Sequence, residues 1–353
     1  MIMKHGGDIY SETIEYDFSI NLNPLDCSKI IEEIIEDSRT KICNYPDSLQ
    51  RSFREAIARM EGVGIDQVYG GNGASEILLA IISMLKPSKV LLLRPCFSGY
   101  EHALARVSDC EISEYALAEE NGFEVNEDFI LRLKKEAEEG LDLLIITNPN
   151  NPTGRCIRSD ILDRAFEICK RSQVAMIVDE CFLKMSREEN SLVKYVDAYD
   201  GLYVVNAFTK LFAIPGVRVG YTVTSSKNIN QLIKELPEWN LSTIAQSAGV
   251  ICSRYLSEDR FLKKTREYLA DEREYMTYEF RRMGFKVYES DTAFILFYSD
   301  EEIYEYLKKM KVLIRDCSDY QGLSKGYYRI AVKSHEENEL LIQKLKMRIN
   351  NWN

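Results

Sequence analysis

Leu202-Tyr203-Val204-Val205-Asn206-Ala207, running directly into Phe208-Thr209-Lys210-Leu211-Phe212-Ala213-Ile214-Pro215-Gly216-Val217-Arg218-Val219-Gly220-Tyr221, decides the fold of this chain. The first six residues are too short and too apolar for an exposed helix, so they read as a buried strand. A turn carrying a lysine follows at once, and a second strand-like run, Arg218 to Val223, comes after it. The same texture recurs upstream at Lys89 to Leu93, Asp142 to Thr147 and Ala175 to Asp179. Between these runs, Ala74 to Leu85 and Asp160 to Arg171 carry apolar residues at three- and four-residue intervals and are expected to be helices, the second capped by Ser159. Strands alternating with helices over 70–225 imply βαβ units and a mostly parallel sheet, whose carboxyl edge is where ligands bind.

After Leu236 the texture changes to long charged helical segments such as Asp259 to Met283, followed by strand-like runs at Ala293 to Tyr298 and Tyr327 to Val332. This predicts a smaller α+β domain. The N-terminal forty or so residues cannot bury a core alone and are expected to pack on it. The division expected is residues 40–240 for the large domain, with 1–39 and 241–353 forming the small one. No internal repeat or low-complexity stretch interrupts this plan.

Composition narrows the function classes. A chain of 353 residues that is 45% hydrophobic can bury a sizeable core, which argues against disorder. Its formal charge of -11, with no dense basic tract, disfavours nucleic acid and anionic membranes as partners. The nine cysteines are scattered without a Cys-x-x-Cys pair, and His5, His102 and His335 stand far apart, so neither a disulfide framework nor a metal site is expected. The first residues lack the apolar core of a signal peptide, and no uncharged apolar run approaches membrane-spanning length, so a cytoplasmic location is expected.

Four segments carry the chemistry. Lys210 would sit at the ligand edge of the sheet, where burial lowers its pKa and frees the amine to form a Schiff base with an aldehyde. Arg218 suits a dianionic phosphate. Gly70-Gly71-Asn72-Gly73-Ala74-Ser75-Glu76 opens an apolar helix, so the N–H groups of Gly73, Ala74 and Ser75 could cradle a phosphate at the positive end of the helix dipole. Asn148-Pro149-Asn150-Asn151-Pro152-Thr153-Gly154 fixes a rigid path beyond its strand and could hold an Asn amide against a phenolic oxygen. Asp179 closes its strand where a carboxylate could pair with a protonated pyridine nitrogen. Each motif alone has a bland explanation as a solvated lysine, a tight turn or a cap. Together, in this order, they fit pyridoxal 5'-phosphate.

These motifs resemble the class I and II aminotransferases along essentially the whole chain. The resemblance implies an α/β, aspartate-aminotransferase-like large domain with a mostly parallel central sheet, a smaller α+β domain, and pyridoxal 5'-phosphate as cofactor. Histidinol-phosphate aminotransferases typically have Ser before the lysine and Tyr three residues after the aspartate, where this chain has Thr209 and Phe182. The similarity is greater to the threonine-phosphate decarboxylases of cobalamin biosynthesis. It runs through His5-Gly6-Gly7, Asp17-Phe18-Ser19-Ile20-Asn21-Leu22-Asn23-Pro24, Phe208-Thr209-Lys210, Ala213-Ile214-Pro215-Gly216, Val312-Leu313-Ile314-Arg315-Asp316-Cys317, Tyr320-Gln321-Gly322-Leu323 and Tyr327-Tyr328-Arg329-Ile330-Ala331-Val332.

The resemblance implies roles. Lys210 bears the cofactor, Phe97 stacks on its ring, Asn151 meets its phenolic oxygen and Asp179 its nitrogen. Thr209, Arg218 and the loop Gly73 to Ser75 hold its phosphate, and Tyr45 reaches it from the other subunit of a homodimer with shared sites. Arg329 binds the substrate carboxylate, His5 and Arg315 help receive the substrate phosphate, and Asn21 belongs with them. The implied reaction is decarboxylation of O-phospho-L-threonine to (R)-1-amino-2-propanol phosphate. The alternatives are an aminotransferase acting on histidinol phosphate or a similar amine and, remotely, a non-catalytic regulator that binds the cofactor. Two places depart from the decarboxylase pattern: Lys333, where Arg is expected, and Trp239-Asn240-Leu241-Ser242.

Overall fold

A computed structural model of the chain describes residues 6–187, 190–258 and 260–350. After a short first strand, β1 (Tyr16–Asp17), the chain builds a seven-stranded sheet from β2 (Val68–Gly71), β3 (Lys89–Arg94), β4 (Glu111–Ala116), β5 (Leu143–Thr147), β6 (Ala175–Asp179), β7 (Leu202–Ala207) and β8 (Gly220–Val223). The spatial order is β2-β8-β7-β6-β5-β3-β4. From β7 through β6, β5 and β3 to β4 all pairings are parallel, and β8 runs antiparallel to both of its neighbours. β5 and β7 are buried along their whole length and β3 and β6 at all but their first residue, which is why they read as continuous apolar runs. In register, Thr147 lies opposite Asp179 and Asp179 opposite Val205, so the ends of β5, β6 and β7 meet at one edge.

The helix expected over Ala74–Leu85 is present with those bounds. The next expected helix covers Ser159–Ser172, but Ser159 is its first residue and not its cap. Arg158 takes the cap position without a capping side-chain bond, its guanidinium turned instead to the Asp160 carboxylate at 3.0 and 2.6 Å. Arg218 likewise lies outside β8. Its φ of 58° is left-handed, a conformation that interrupts the strand before Gly220.

Two strands of the sheet lie outside the apolar runs. β4 is an edge strand with a half-exposed, polar sequence, paired with β3 alone among the described strands. β2 contains Gly70 and Gly71, and a Cβ at Gly70 would collide with the Phe53 ring packed against it.

Beyond the helix Arg260–Arg282, a four-stranded antiparallel sheet is formed by β9 (Lys286–Val287), β10 (Phe294–Tyr298), β12 (Arg315–Asp316) and β13 (Tyr327–Ala331), in the order β12-β13-β10-β9. The intervening β11 (Val312–Leu313) pairs in parallel with β1. The N-terminal segment is therefore stitched to this region. Phe18 N–H donates to Leu313 O at 2.7 Å, Ala331 N–H donates to Phe18 O at 2.8 Å, and the Phe18 side chain is fully buried. Among the described residues, no helix is long and apolar enough to cross a membrane.

Candidate active site

The carboxyl edge of the large sheet opens into a cavity of about 480 Å³, closed on its other side by the N-terminal segment and the small sheet. Gly73, Ala74, Ser75, Phe97, Asn151, Asp179, Thr209, Lys210, Arg218, Asn21, Arg315 and Arg329 all line it. Tyr45 does not. It stands 80% exposed on another face, its ring 4.8 Å from that of Trp239. His5 lies outside the described residues, although its neighbour Gly6 lines the cavity.

Lys210 follows β7 on the one-turn helix Phe208–Leu211. Burial lowers the proton affinity of its amine, and the charges of Arg329 and Arg218 push in the same direction against the opposing influence of Cys181 and Asp179. The amine makes no hydrogen bond or ion pair with another described residue. Asp179, 6% exposed at the end of β6, accepts Cys181 N–H on Oδ1 at 3.0 Å and the Tyr100 hydroxyl on Oδ2 at 2.8 Å.

The glycine loop differs in one respect from what its sequence suggests. Gly73 N–H is taken up by Gly71 O at 2.7 Å, which closes the turn, so the groups left at the helix start are those of Ala74 and Ser75. Gly73 has φ +80°, and a Cβ there would strike Arg218 Nη2. The left-handed turn at Arg218 brings its exposed guanidinium to this loop, and the absent side chain at Gly73 leaves room for it. Asn240, in the segment that departed from the expected pattern, braces the loop by donating to Gly70 O at 3.0 Å and to Glu76 Oε2 at 2.9 Å.

Asn148 and Asn150 stiffen the loop after β5 through bonds to Ile157 N and Pro95 O, which holds Asn151 at the cavity wall. Asn151 Oδ1 accepts from Arg329 Nη1, leaving its amide N–H groups toward the cavity. Arg329 is 5% exposed, donates through Nη2 to Ser19 O at 2.7 Å, and has no carboxylate partner among the described residues. Its Nε is buried without a partner among the described residues, as is Asn21 Oδ1. In the register of β12 with β13, Arg315 sits opposite Arg329. Arg315 is offset by Asp319 at 2.8 Å and lies over the Tyr320 ring, 4.9 Å from its centroid. Lys333 is directed elsewhere, paired with Glu337 at 2.8 Å.

This donor set fits pyridoxal 5'-phosphate: a desolvated amine, a carboxylate held by two donors, an aromatic ring, and a glycine cradle with an arginine and a helix start. Sequence reasoning missed several neighbours, namely Ser19, Tyr100, Thr147, Cys181 and Tyr320. Ser19 and Tyr320 stood in stretches quoted for their resemblance, but the sequence carried no sign of the direction of their side chains.

The chain is similar to known proteins along nearly its whole length. The family profile described as aminotransferase class I and II matches residues 13–345. A Caldanaerobacter subterraneus subsp. tengcongensis protein named "Putative threonine-phosphate decarboxylase" is 34% identical over 97% of this chain and 93% of its own length. The threonine-phosphate decarboxylase of Salmonella typhimurium is 28% identical over 94% of this chain and 90% of its own. Among solved structures, the histidinol-phosphate aminotransferase from Clostridium acetobutylicum superposes with a TM-score of 0.86 at 26% identity, covering 96% of this chain and 100% of that one. The fold is aspartate-aminotransferase-like, as expected.

Proposed function

The chain belongs to the aminotransferase class I and II family of pyridoxal-phosphate enzymes, and from that premise we propose that it decarboxylates O-phospho-L-threonine to (R)-1-amino-2-propanol phosphate and CO₂. One observation carries the proposal. Arg315 and Arg329 occupy opposite positions of neighbouring strands in the same cavity as Lys210, and Arg329 is a buried cation without a carboxylate partner among the described residues. Like charges placed across strands destabilise a sheet, and a buried unpaired charge is costly. A ligand with two anionic groups, a carboxylate and a phosphate, relieves both penalties. The greater sequence likeness to threonine-phosphate decarboxylases points the same way.

In this reading Arg329 takes the substrate carboxylate, and Arg315 takes the substrate phosphate while Asp319 limits its excess charge. Ala74, Ser75, Thr209 and Arg218 hold the cofactor phosphate, Asn151 its phenolic oxygen, Asp179 its ring nitrogen, and Phe97 its face. Pyridoxal phosphate, when bound, supplies an aldehyde for amine capture and a ring that accepts the electron pair of the bond broken at Cα. By fixing the substrate carboxylate, Arg329 would set which bond at Cα is weakened, in this reading the bond to CO₂. Lys210, whose proton affinity burial lowers, would move the proton at Cα.

The enzyme would work in the cytoplasm as a homodimer, with Tyr45 completing the site of the other subunit. In support, Ile42, Tyr45 and Trp239 are large apolar residues exposed in one region of the surface. A second reading, amino transfer to or from a phosphorylated amine, is favoured by the likeness to the Clostridium acetobutylicum structure. Incubation with O-phosphothreonine separates the two. Stoichiometric CO₂ without an added keto acid supports decarboxylation, whereas a keto product that requires 2-oxoglutarate overturns it.

A further inference from the structure

Two hydroxyl groups stand in line behind the Asp179 carboxylate. Tyr100, on the helix Gly99–Leu104, is 1% exposed, with its hydroxyl 2.8 Å from Asp179 Oδ2 and 2.6 Å from Thr147 Oγ1. An ionised carboxylate only accepts, and a phenol has one proton to give. Tyr100 therefore donates to Asp179, and Thr147 must donate to Tyr100. Burial, followed by the Asp179 charge, pushes the phenol's proton affinity far up, so it remains a donor throughout the working pH range.

The backbone sets these distances. Thr147 and Asp179 are paired in register at the ends of β5 and β6, so the tyrosine hydroxyl bridges two neighbouring strand termini. With Cys181 N–H on Oδ1, each carboxylate oxygen has a donor, and the side chain cannot turn without breaking both bonds. The same tyrosine ring meets Phe97 edge-on, with centroids 5.7 Å apart and planes at 87°. One buried side chain thus touches both the carboxylate assigned to the ring nitrogen and the aromatic residue assigned to the ring face.

We propose that Tyr100, oriented by Thr147, is a positioning residue that fixes the Asp179 carboxylate and the Phe97 ring in the arrangement that grips the pyridine ring of the cofactor. This rests on the cavity around Lys210 being the cofactor site. A tyrosine that merely filled space would have no need of its hydroxyl. Tyr100→Phe keeps the ring and removes only that group, Thr147→Val removes the second hydroxyl at nearly constant shape, and Thr147→Ser retains it.

The readouts are the dissociation constant for pyridoxal phosphate and the pH midpoint of the visible absorption band of the bound cofactor. A lost hydrogen bond to a charged group in a buried site is expected to weaken cofactor retention about tenfold. Tyr100→Phe and Thr147→Val should both do so and should move the midpoint in one direction. Thr147→Ser should match the parent, and the double variant should be no worse than Tyr100→Phe, because both act through one chain of bonds. A parental dissociation constant and midpoint in Tyr100→Phe overturn the proposal, as does full additivity in the double variant. Should Tyr100→Phe fail to fold, the contrast between Thr147→Val and Thr147→Ser decides. Lys210→Ala provides the separate control: if the band survives that change, the assignment of the site itself fails, whatever Tyr100 does.

Discussion

Replacing Glu180 by Gln should make the protein's stability less sensitive to pH between mildly acidic and neutral solution. Glu180 follows Asp179 but turns away from the cavity into the interior, where it is 1% exposed. Its carboxyl bonds with Ser191 Oγ at 2.6 Å and Leu192 N–H at 2.8 Å. Burial outweighs these bonds, and the nearby Glu61 adds to it, so the carboxyl is pushed up from 4.5 to about 7. At about 1.4 kcal/mol per pH unit, that gap corresponds to a penalty of about 3 kcal/mol once the group is ionised in the folded state.

The sign follows from the raised value. Below pH 4.5 the carboxyl is protonated in both states and there is no penalty. Between 4.5 and about 7 the unfolded chain gives up the proton while the folded one keeps it, so stability falls as pH rises, and above about 7 the loss is complete. Glutamine is neutral throughout. It can still accept from Leu192 N–H, and its amide can donate to Ser191 Oγ if that hydroxyl turns. Urea unfolding of the apo-protein at fixed protein concentration, followed by circular dichroism at pH 5 and pH 8, should show Glu180→Gln close to the parent at pH 5. At pH 8 the variant should be more stable by up to about 3 kcal/mol. Parallel pH profiles for the two proteins would refute the reasoning, since they would mean that the Glu180 proton is not held by burial.

Two further outcomes follow from the site. Gly73→Ala introduces a methyl group at φ +80° and against the Arg218 guanidinium, so it should cost about 1–2 kcal/mol in thermal unfolding and weaken cofactor binding more than tenfold in equilibrium dialysis. Arg315→Gln should raise KM for the phosphorylated substrate by roughly a hundredfold and leave the cofactor's visible band intact. Asp319→Asn, which frees the guanidinium now held at 2.8 Å, should lower KM or leave it unchanged in the same steady-state assay, and a matching rise in both variants would count against the assignment of Arg315 to the phosphate.

The alternation of apolar runs and helical segments was enough to read the parallel sheet, and with it the positions of Asn151, Asp179 and Lys210. Residues that close inner strands of a parallel sheet must gather at its carboxyl edge, so their convergence follows from local order along the chain. The edge strand β4 and the glycine-bearing β2 were not legible, because neither has the apolar content that marks an inner strand. Tertiary structure decided the rest. Arg315 and Arg329 become neighbours only through the pairing of β12 with β13, and Arg218 reaches the glycine loop only because its backbone turns left-handed. The Tyr100 hydroxyl finds Asp179 only because β5 and β6 end in register. Chain order can say that a carboxylate closes a strand, but the partners that orient it arrive from distant segments, and their directions are set by packing.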